Sequence, residues 1–398
     1  LKEKLGGDKM KKVKAICIMG FVALIVAMMV MPATAQLTCS YDICVNETGW
    51  WRNGGEFNAV TPSIYNNLGT GALNNANDGD TVFVYNGTYQ NLYLQMNTPN
   101  VTLIGEDVPG GLTLSFDGTH GIEINAAGCV VDGFRIVNSP TGLTVGYSAP
   151  APNCIIRNCV FIGMTASYME IYADNTTIEN CVFKEFTRPS VRIEGENSTI
   201  KNNLFVNCTS KYGPLYLKGA SHSIVANNTF RDNAPTTSPS RIITLRELSN
   251  CMVTNNTIVN NTEYAIRIWK AADNTITRNN ISSNGGIICL KDAGEGNKIY
   301  LNNFVDNDAT VVIDGTPPTT TYWNSTEPIE YTYNGTTYTN YLGNYWSPQY
   351  TGTDGDGNGI GDTSYVLPDG LGEDYHPLMT KFENYLGAAA PTAPTPAT

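Results

Sequence analysis

The sequence predicts an all-β solenoid, a parallel β-helix, and three observations carry that expectation. First, one short phrase is written seven times between Asn153 and Asn303. It reads Asn158-Cys159-Val160-Phe161, Asn180-Cys181-Val182-Phe183, Asn202-Asn203-Leu204-Phe205, Asn227-Asn228-Thr229-Phe230, Asn255-Asn256-Thr257-Ile258, Asn279-Asn280-Ile281-Ser282 and Asn302-Asn303-Phe304-Val305. Its first asparagine recurs at steps of 22, 22, 25, 28, 24 and 23 residues, a period that tolerates insertions only in loops. Second, the spacers hold short alternating strands such as Met169-Glu170-Ile171, Val191-Arg192-Ile193, Leu215-Tyr216-Leu217 and Ile266-Arg267-Ile268. Third, no helix-length stretch carries apolar residues three and four apart, and leucine is too sparse for a leucine-rich repeat.

Short strands coiled at about 4.8 Å per turn give about nine stacked coils between residues 76 and 315. The recurrent asparagine is expected at a tight turn, tolerating the left-handed conformation and bonding its amide to the asparagines above and below. Cys129 with Cys154, and Cys159 with Cys181, occupy matching places in successive coils and are expected as an apolar ladder.

The chain begins with charged residues before Met10, the expected start of translation. Lys11, Lys12 and Lys14 then precede an apolar run from Ala15 to Met31, and Ala33-Thr34-Ala35 suits cleavage before Gln36, so residues 1–35 read as a secretory signal peptide. Without them the chain keeps 18 basic and 34 acidic residues, a net charge near −16. That balance argues against nucleic acid or anionic lipid as partners. It points to a secreted or cell-surface protein with no membrane insertion after cleavage. Cys39 and Cys44, close together in a loop-like stretch, are expected to form a disulfide. Twelve Asn-x-Ser/Thr sequons occur, of which Asn46, Asn324 and Asn334 are candidates for glycosylation.

Residues 36–75 are expected to cap the N-terminal end, because a solenoid without caps exposes strand edges. From Thr316 the period stops, and residues 316–385 read as a C-terminal cap rich in Tyr and Trp. Residues 386–398 are Ala, Pro and Thr after Gly387 and read as a linker or stalk.

Two sets of residues carry candidate chemistry. Asp354, Asp356, Asn358 and Asp362 place oxygen ligands at positions 1, 3, 5 and 9 of a loop. Gly359 stands at the sharp turn and the Ile360 carbonyl at position 7, which suits a structural calcium. Position 12 is Tyr365 rather than Glu, and no helix pattern flanks the loop. The outward residues of the coil strands give two rows. One is Glu170, Arg192, Tyr216, Thr244 and Arg267; the other is Tyr172, Glu194, Lys218, Arg246 and Trp269. Aromatic rings beside paired charges suit glycans, and the same rows could equally be a solvated ladder of compensating charges. No residue is singled out as catalytic, although Glu170 and Glu194 are the two carboxylates a hydrolase would need. For a uronate lyase or epimerase, Arg192, Lys218, Arg246 and Arg267 could neutralise the substrate carboxylate. Copper is not supported by the residues: after the leader only His120, His222 and His376 remain, with Met96, Met164, Met169, Met252 and Met379 scattered.

The repeated coil, Gly79-Asp80-Thr81-Val82-Phe83-Val84-Tyr85-Asn86-Gly87-Thr88-Tyr89, and Thr102-Leu103-Ile104-Gly105-Glu106 resemble the NosD-type right-handed β-helix proteins. The tail, Tyr341-Leu342-Gly343-Asn344-Tyr345-Trp346 with Asp374-Tyr375-His376-Pro377-Leu378-Met379, is similar to copies common in methanogenic archaea. The resemblance spans roughly residues 60–380. It implies a right-handed coil and a place outside the cytoplasm, in a repeat class of carbohydrate-binding proteins and sugar hydrolases. Its bacterial namesake assists copper-site maturation in nitrous oxide reductase. The reading that results is a non-catalytic surface protein binding glycans or packing with neighbouring envelope proteins. The alternatives are a polysaccharide-active lyase, epimerase or hydrolase, and an accessory protein for copper-site maturation.

Overall fold

A computed structural model describes residues 39–59, 67–116, 118, 121–165, 168–187, 191–210, 212–236, 241–318 and 320–386. The leader, His120 and the Ala/Pro/Thr tail lie outside these residues. Among the described residues no helix is long and apolar enough to cross a membrane.

Three sheets run the length of the molecule, and the chain visits them in rotation. Sheet I has 14 strands, sheet II has 11 and sheet III has 10, so the coil makes about ten turns, one more than the repeat implied. In one complete turn Ile155–Arg157 lies in sheet I, Val160–Ile162 in sheet II and Met169–Ile171 in sheet III. Neighbouring turns pair in parallel with residues of like position opposite one another, as with Val160 on Val182 and Phe161 on Phe183. The strands alternate because only one face of each is buried. The inward set includes Phe161, Phe183, Phe205 and Phe230, stacked with their planes nearly parallel at ring separations of 5.2, 4.7 and 4.5 Å.

The corners depart from the expectation of one asparagine with two roles. Two adjacent residues divide the work. The first takes the left-handed conformation: Asn158, Asn180, Asn202, Asn227, Asn255, Arg278 and Leu301 have φ between 54° and 58°. The second points inward and builds the ladder. Asn203, Asn228, Asn256, Asn279, Asn302 and Asn344 are buried, and each amide donates to the Oδ1 of the next at 2.9–3.0 Å. Each of the first five also donates its backbone N–H to that same oxygen, at 2.9–3.1 Å. Cys159 and Cys181 fill the ladder position in the earlier turns. The last two copies of the phrase are therefore read one residue late in the sequence: Arg278 and Leu301 hold the turn, and Asn279 and Asn302 are the rungs. A second ladder joins Asn233, Asn261, Asn284 and Asn307 at 2.8–3.0 Å. Because the turn asparagines project outward, sequon residues Asn175, Asn197 and Asn207 are exposed while their neighbours hold the interior.

Both ends are closed by elements that continue the stack. Ile43–Asn46 pairs in parallel with Thr81–Val84, and Gly49–Arg52 then turns back antiparallel over it. Cys39 and Cys44 are joined by a disulfide, with Cα atoms 6.0 Å apart. The cysteines at 129, 154, 159, 181, 208, 251 and 289 are free thiols and buried. At the far end the stack runs past the last repeat. Tyr345–Ser347 extends sheet II from Asn303–Val305, and Trp323 and Trp346 cover the terminal coil. Over them the hairpin Ile329–Tyr333 and Thr336–Asn340 helps build a smaller core of Leu301, Tyr331, Tyr333, Leu342, Ile360, Leu378 and Tyr385.

Candidate functional site

The outer face of sheet III is where the aromatic and charged residues gather. Its pairing sets Glu170, Arg192, Tyr216, Thr244 and Arg267 in one line. In the second line Lys218 faces Arg246, and Arg246 faces Trp269; Tyr172 and Glu194 follow one residue beyond Ile171 and Ile193. All ten residues of the two rows lie on this face.

Midway along it is a cleft of about 290 Å³, lined by Tyr168, Arg192, Tyr212, Tyr216, Lys218, Arg246 and Trp269. The rows supply the floor. Tyr168 and Tyr212, which the sequence did not single out, come from the connections between sheets II and III. Their only signal was a tyrosine just ahead of a sheet III strand. Tyr212 is 45% exposed, and its ring lies 6.4 Å from that of Tyr216.

The charges are unevenly matched. Arg192 is held from one side by two carboxylates, Glu170 at 3.3 Å and Glu194 closer still, with the Tyr168 ring 5.4 Å from the guanidinium. Arg246 donates to the Tyr216 hydroxyl at 3.0 Å and to Glu247 at 3.0–3.1 Å, and lies 3.9 Å from the Trp269 ring centre. Arg267 and Lys291 also crowd that indole, at 4.6 and 5.6 Å, and both pair with Asp314 at 3.0 Å. Trp269 therefore spends its ring on cations, and the more open ring for a sugar to stack on is Tyr212.

Proton affinities on the face shift in both directions. Burial, then the neighbouring Glu170 carboxylate, pushes the Tyr172 hydroxyl up to about 12, and burial also raises Tyr168. Burial lowers Arg267, and the Lys291 ammonium holds Asp314 below the usual carboxylate range. Glu170 and Glu194 share one guanidinium, that of Arg192.

A larger hollow of about 520 Å³ lies elsewhere, against sheets I and II beside Glu106, Asp107 and Asp132. It has no cation or aromatic set of comparable density, and Asp132 is already spent on Arg157 and Asn158 at 2.7 Å each.

In the cap, the Asp/Gly loop is closed by its own hydrogen bonds. Asp354 accepts from the N–H groups of Asn358 and Gly359 at 3.0 and 2.9 Å. Asp356 shares the Asn358 N–H at 3.2 Å, and the Ile360 N–H donates to Asn358 Oδ1 at 2.7 Å. Asp362 turns away to Gly355 N–H and the Thr353 hydroxyl. Gly359 has φ of +88°, and a Cβ there would lie 2.7 Å from the Tyr385 ring, so the turn excludes other residues. As arranged, the loop does not gather its carboxylates about one point, and among the described residues no three His, Cys, Asp or Glu side chains form a group suited to a metal. Met96, Met164 and Met169 are buried in the coil core, while Met252 and His222 are exposed.

Three parallel sheets visited in rotation define a right-handed parallel β-helix, and residues 110–235 match the right-handed β-helix region. Residues 194–352 match NosD, described as a periplasmic copper-binding protein. The chain is a NosD-type β-helix repeat protein. No curated protein matches it. Solved structures similar to it include a PL6 family alginate lyase, AlyGC, with 17% identity, TM-score 0.45 and coverage of 59% of this chain and 42% of that one. Another is a GH136 lacto-N-biosidase from Eubacterium ramulus, at 12% identity and TM-score 0.45, covering 65% and 67%. A third is PfbA, a surface adhesin of Streptococcus pneumoniae, at 14% identity and TM-score 0.40, covering 66% and 92%. The chain thus spans about two-fifths of the length of that alginate lyase.

Proposed function

We propose that this is an exported, non-catalytic β-helix protein that binds glycans through the outer face of sheet III. The observation that carries the reading is the cleft, where three tyrosines and a tryptophan stand beside three cations on a floor fixed by strand register. Ring faces match the CH faces of pyranoses, and guanidinium and ammonium donors match their oxygens. A rigid sheet needs no reordering to bind, which lowers the entropic cost of association.

The rival is a polysaccharide-active enzyme using the same face. The raised tyrosines and the shared Arg192 favour binding over proton transfer. A glycan array probed with the native protein and with Tyr212→Ala, Arg192→Ala and Trp269→Ala separates the two. Retention is expected, falling about tenfold in Tyr212→Ala, the most exposed ring of the cleft, with no change in product absorbance. Turnover by the native protein that any of these changes abolishes would make it an enzyme.

We also propose calcium as a structural ion of the cap. Asp354, Asp356, Asn358, the Ile360 carbonyl and Asp362 would hold it, with the acidic side chains released from their present N–H partners. At a hundredfold excess over its dissociation constant, such an ion raises stability by about 2.7 kcal/mol. The thermal midpoint should therefore rise in millimolar calcium and fall back in chelator, and Asp356→Asn should lose the response. Identical melts in calcium and chelator would remove the ion from the cap.

A further inference from the structure

We infer that the ligand of the sheet III cleft is an acidic saccharide, whose anionic substituent sits between Lys218 and Arg246. This deepens the glycan-binding reading and rests on it. Lys218 and Arg246 are direct partners across two parallel strands, and like charges so placed repel. In a chain of net charge −12, acidic residues are plentiful, yet no carboxylate lines the cleft. Lys218 makes no ion pair among the described residues, and Arg246 has only the exposed Glu247 beside it in sequence, a pairing that solvent screens.

Arg246 is nevertheless fixed. Its guanidinium is held between the Tyr216 hydroxyl at 3.0 Å and the Trp269 ring at 3.9 Å. A cation that is aimed and ordered, beside a second one that is unpaired, is a receptor for an anion. Two carboxylates beside the cleft, Glu170 and Glu194, are both drawn to Arg192. That leaves the Lys218–Arg246 end positive. Tyr212 and Tyr216 flank this end and would carry the sugar ring to which the anionic group is attached. A uronate carboxylate and a sulfate ester meet the same two cations, so the shared chemistry is an oxyanion on a pyranose.

The test uses the full chain and calorimetric titration with three probes: an oligogalacturonate, a chondroitin sulfate oligosaccharide and neutral maltohexaose. One or both acidic probes should bind at least about tenfold more tightly than the neutral one, and the advantage should shrink as sodium chloride is raised. Lys218→Gln should lower the affinity for the acidic probe by about tenfold, while Lys218→Arg keeps it. Since Lys218→Gln also removes a like-charge contact, the unliganded variant should melt no lower than the native protein, so lost binding cannot be lost folding. Binding of maltohexaose equal to that of the acidic probes, or an unchanged affinity in Lys218→Gln, overturns the inference and leaves glycan binding standing. Failure of all three probes together with a blank glycan array overturns both.

Discussion

Replacing Asn279 with alanine should destabilise the protein by on the order of 3–6 kcal/mol, whereas Asn280→Ala should cost about 1 kcal/mol or less. Asn279 Oδ1 accepts both the backbone N–H and the amide of Asn256, at 3.0 and 2.9 Å. Its own amide donates to the Val253 and Thr277 carbonyls and to Asn302 Oδ1. All of this is buried. An alanine leaves at least one backbone N–H without an acceptor in an apolar interior, where each unmet group costs about 1–3 kcal/mol. Asn280 sits in a strand with its side chain part-exposed, so its loss touches little. In a molecule whose turns contact only their neighbours, the damage should begin locally. Hydrogen exchange should show faster opening near Val253, Asn279 and Asn302 and little change near Val131. Equal effects of the two substitutions in denaturant titrations would mean that the amide ladder is not what holds the turns.

The second large effect concerns pH and the cap. Asp374 is fully buried and accepts from the Asn344 N–H at 2.7 Å, the Trp346 indole at 2.8 Å and the His376 N–H at 3.1 Å. Burial outweighs these donors and pushes its carboxyl up to about 7. In the unfolded chain the group titrates near 3.9. Between those values the folded state holds a proton that the unfolded state has released. The stability contributed by Asp374 is therefore complete at low pH and lost as pH rises through about 7, by on the order of 2–4 kcal/mol. His376, which burial lowers, acts in the opposite sense and costs stability as pH falls below its unfolded value of about 6.5. The cap should thus lose stability as pH rises from about 4 to about 7, with His376 offsetting part of the fall just below pH 6.5, and should change little from there toward pH 8.5, as read from the fluorescence of Trp323 and Trp346. Asp374→Asn should flatten this fall and leave the contribution of His376. An unchanged fall between about pH 4 and 7 in that variant would show that another group governs the cap. Gly343 belongs to the same arrangement, because a Cβ there would come within 1.9 Å of Asp374 Oδ1.

The solenoid was legible because stacking makes each turn repeat the chemistry of the last. Phe161, Phe183, Phe205 and Phe230 announce an inward column, and Glu170, Arg192, Tyr216, Thr244 and Arg267 an outward one. What was not legible is which of two adjacent asparagines does which job, since a pattern of two identical letters hides its register. Arg278 and Leu301 show why: the left-handed corner accepts them once the ladder residue behind is secured. In the cleft, the rows could be read from strand alternation, but Tyr168 and Tyr212 could not, because their connections follow no period. Nor could the sequence show that Trp269 would be taken up by arginines. That depends on side chains from three turns meeting in space. Cap residues such as Asp374 and Asn344, 30 positions apart and joined at 2.7 Å, meet only through tertiary folding.

The lengths of the connections have a consequence of their own. From sheet I to sheet II the step is five residues in six successive turns, as from Ile155 to Val160 and from Thr275 to Asn280. From sheet II to sheet III it runs from 6 residues between Ser282 and Ile288 to 12 between Arg231 and Ile243. Within these six turns growth is thus concentrated on one seam, the seam that carries Tyr168 and Tyr212 to the rim of the cleft. A lineage of such rods could rewrite what it recognises by lengthening or trimming that seam, while the spine of asparagines stays untouched.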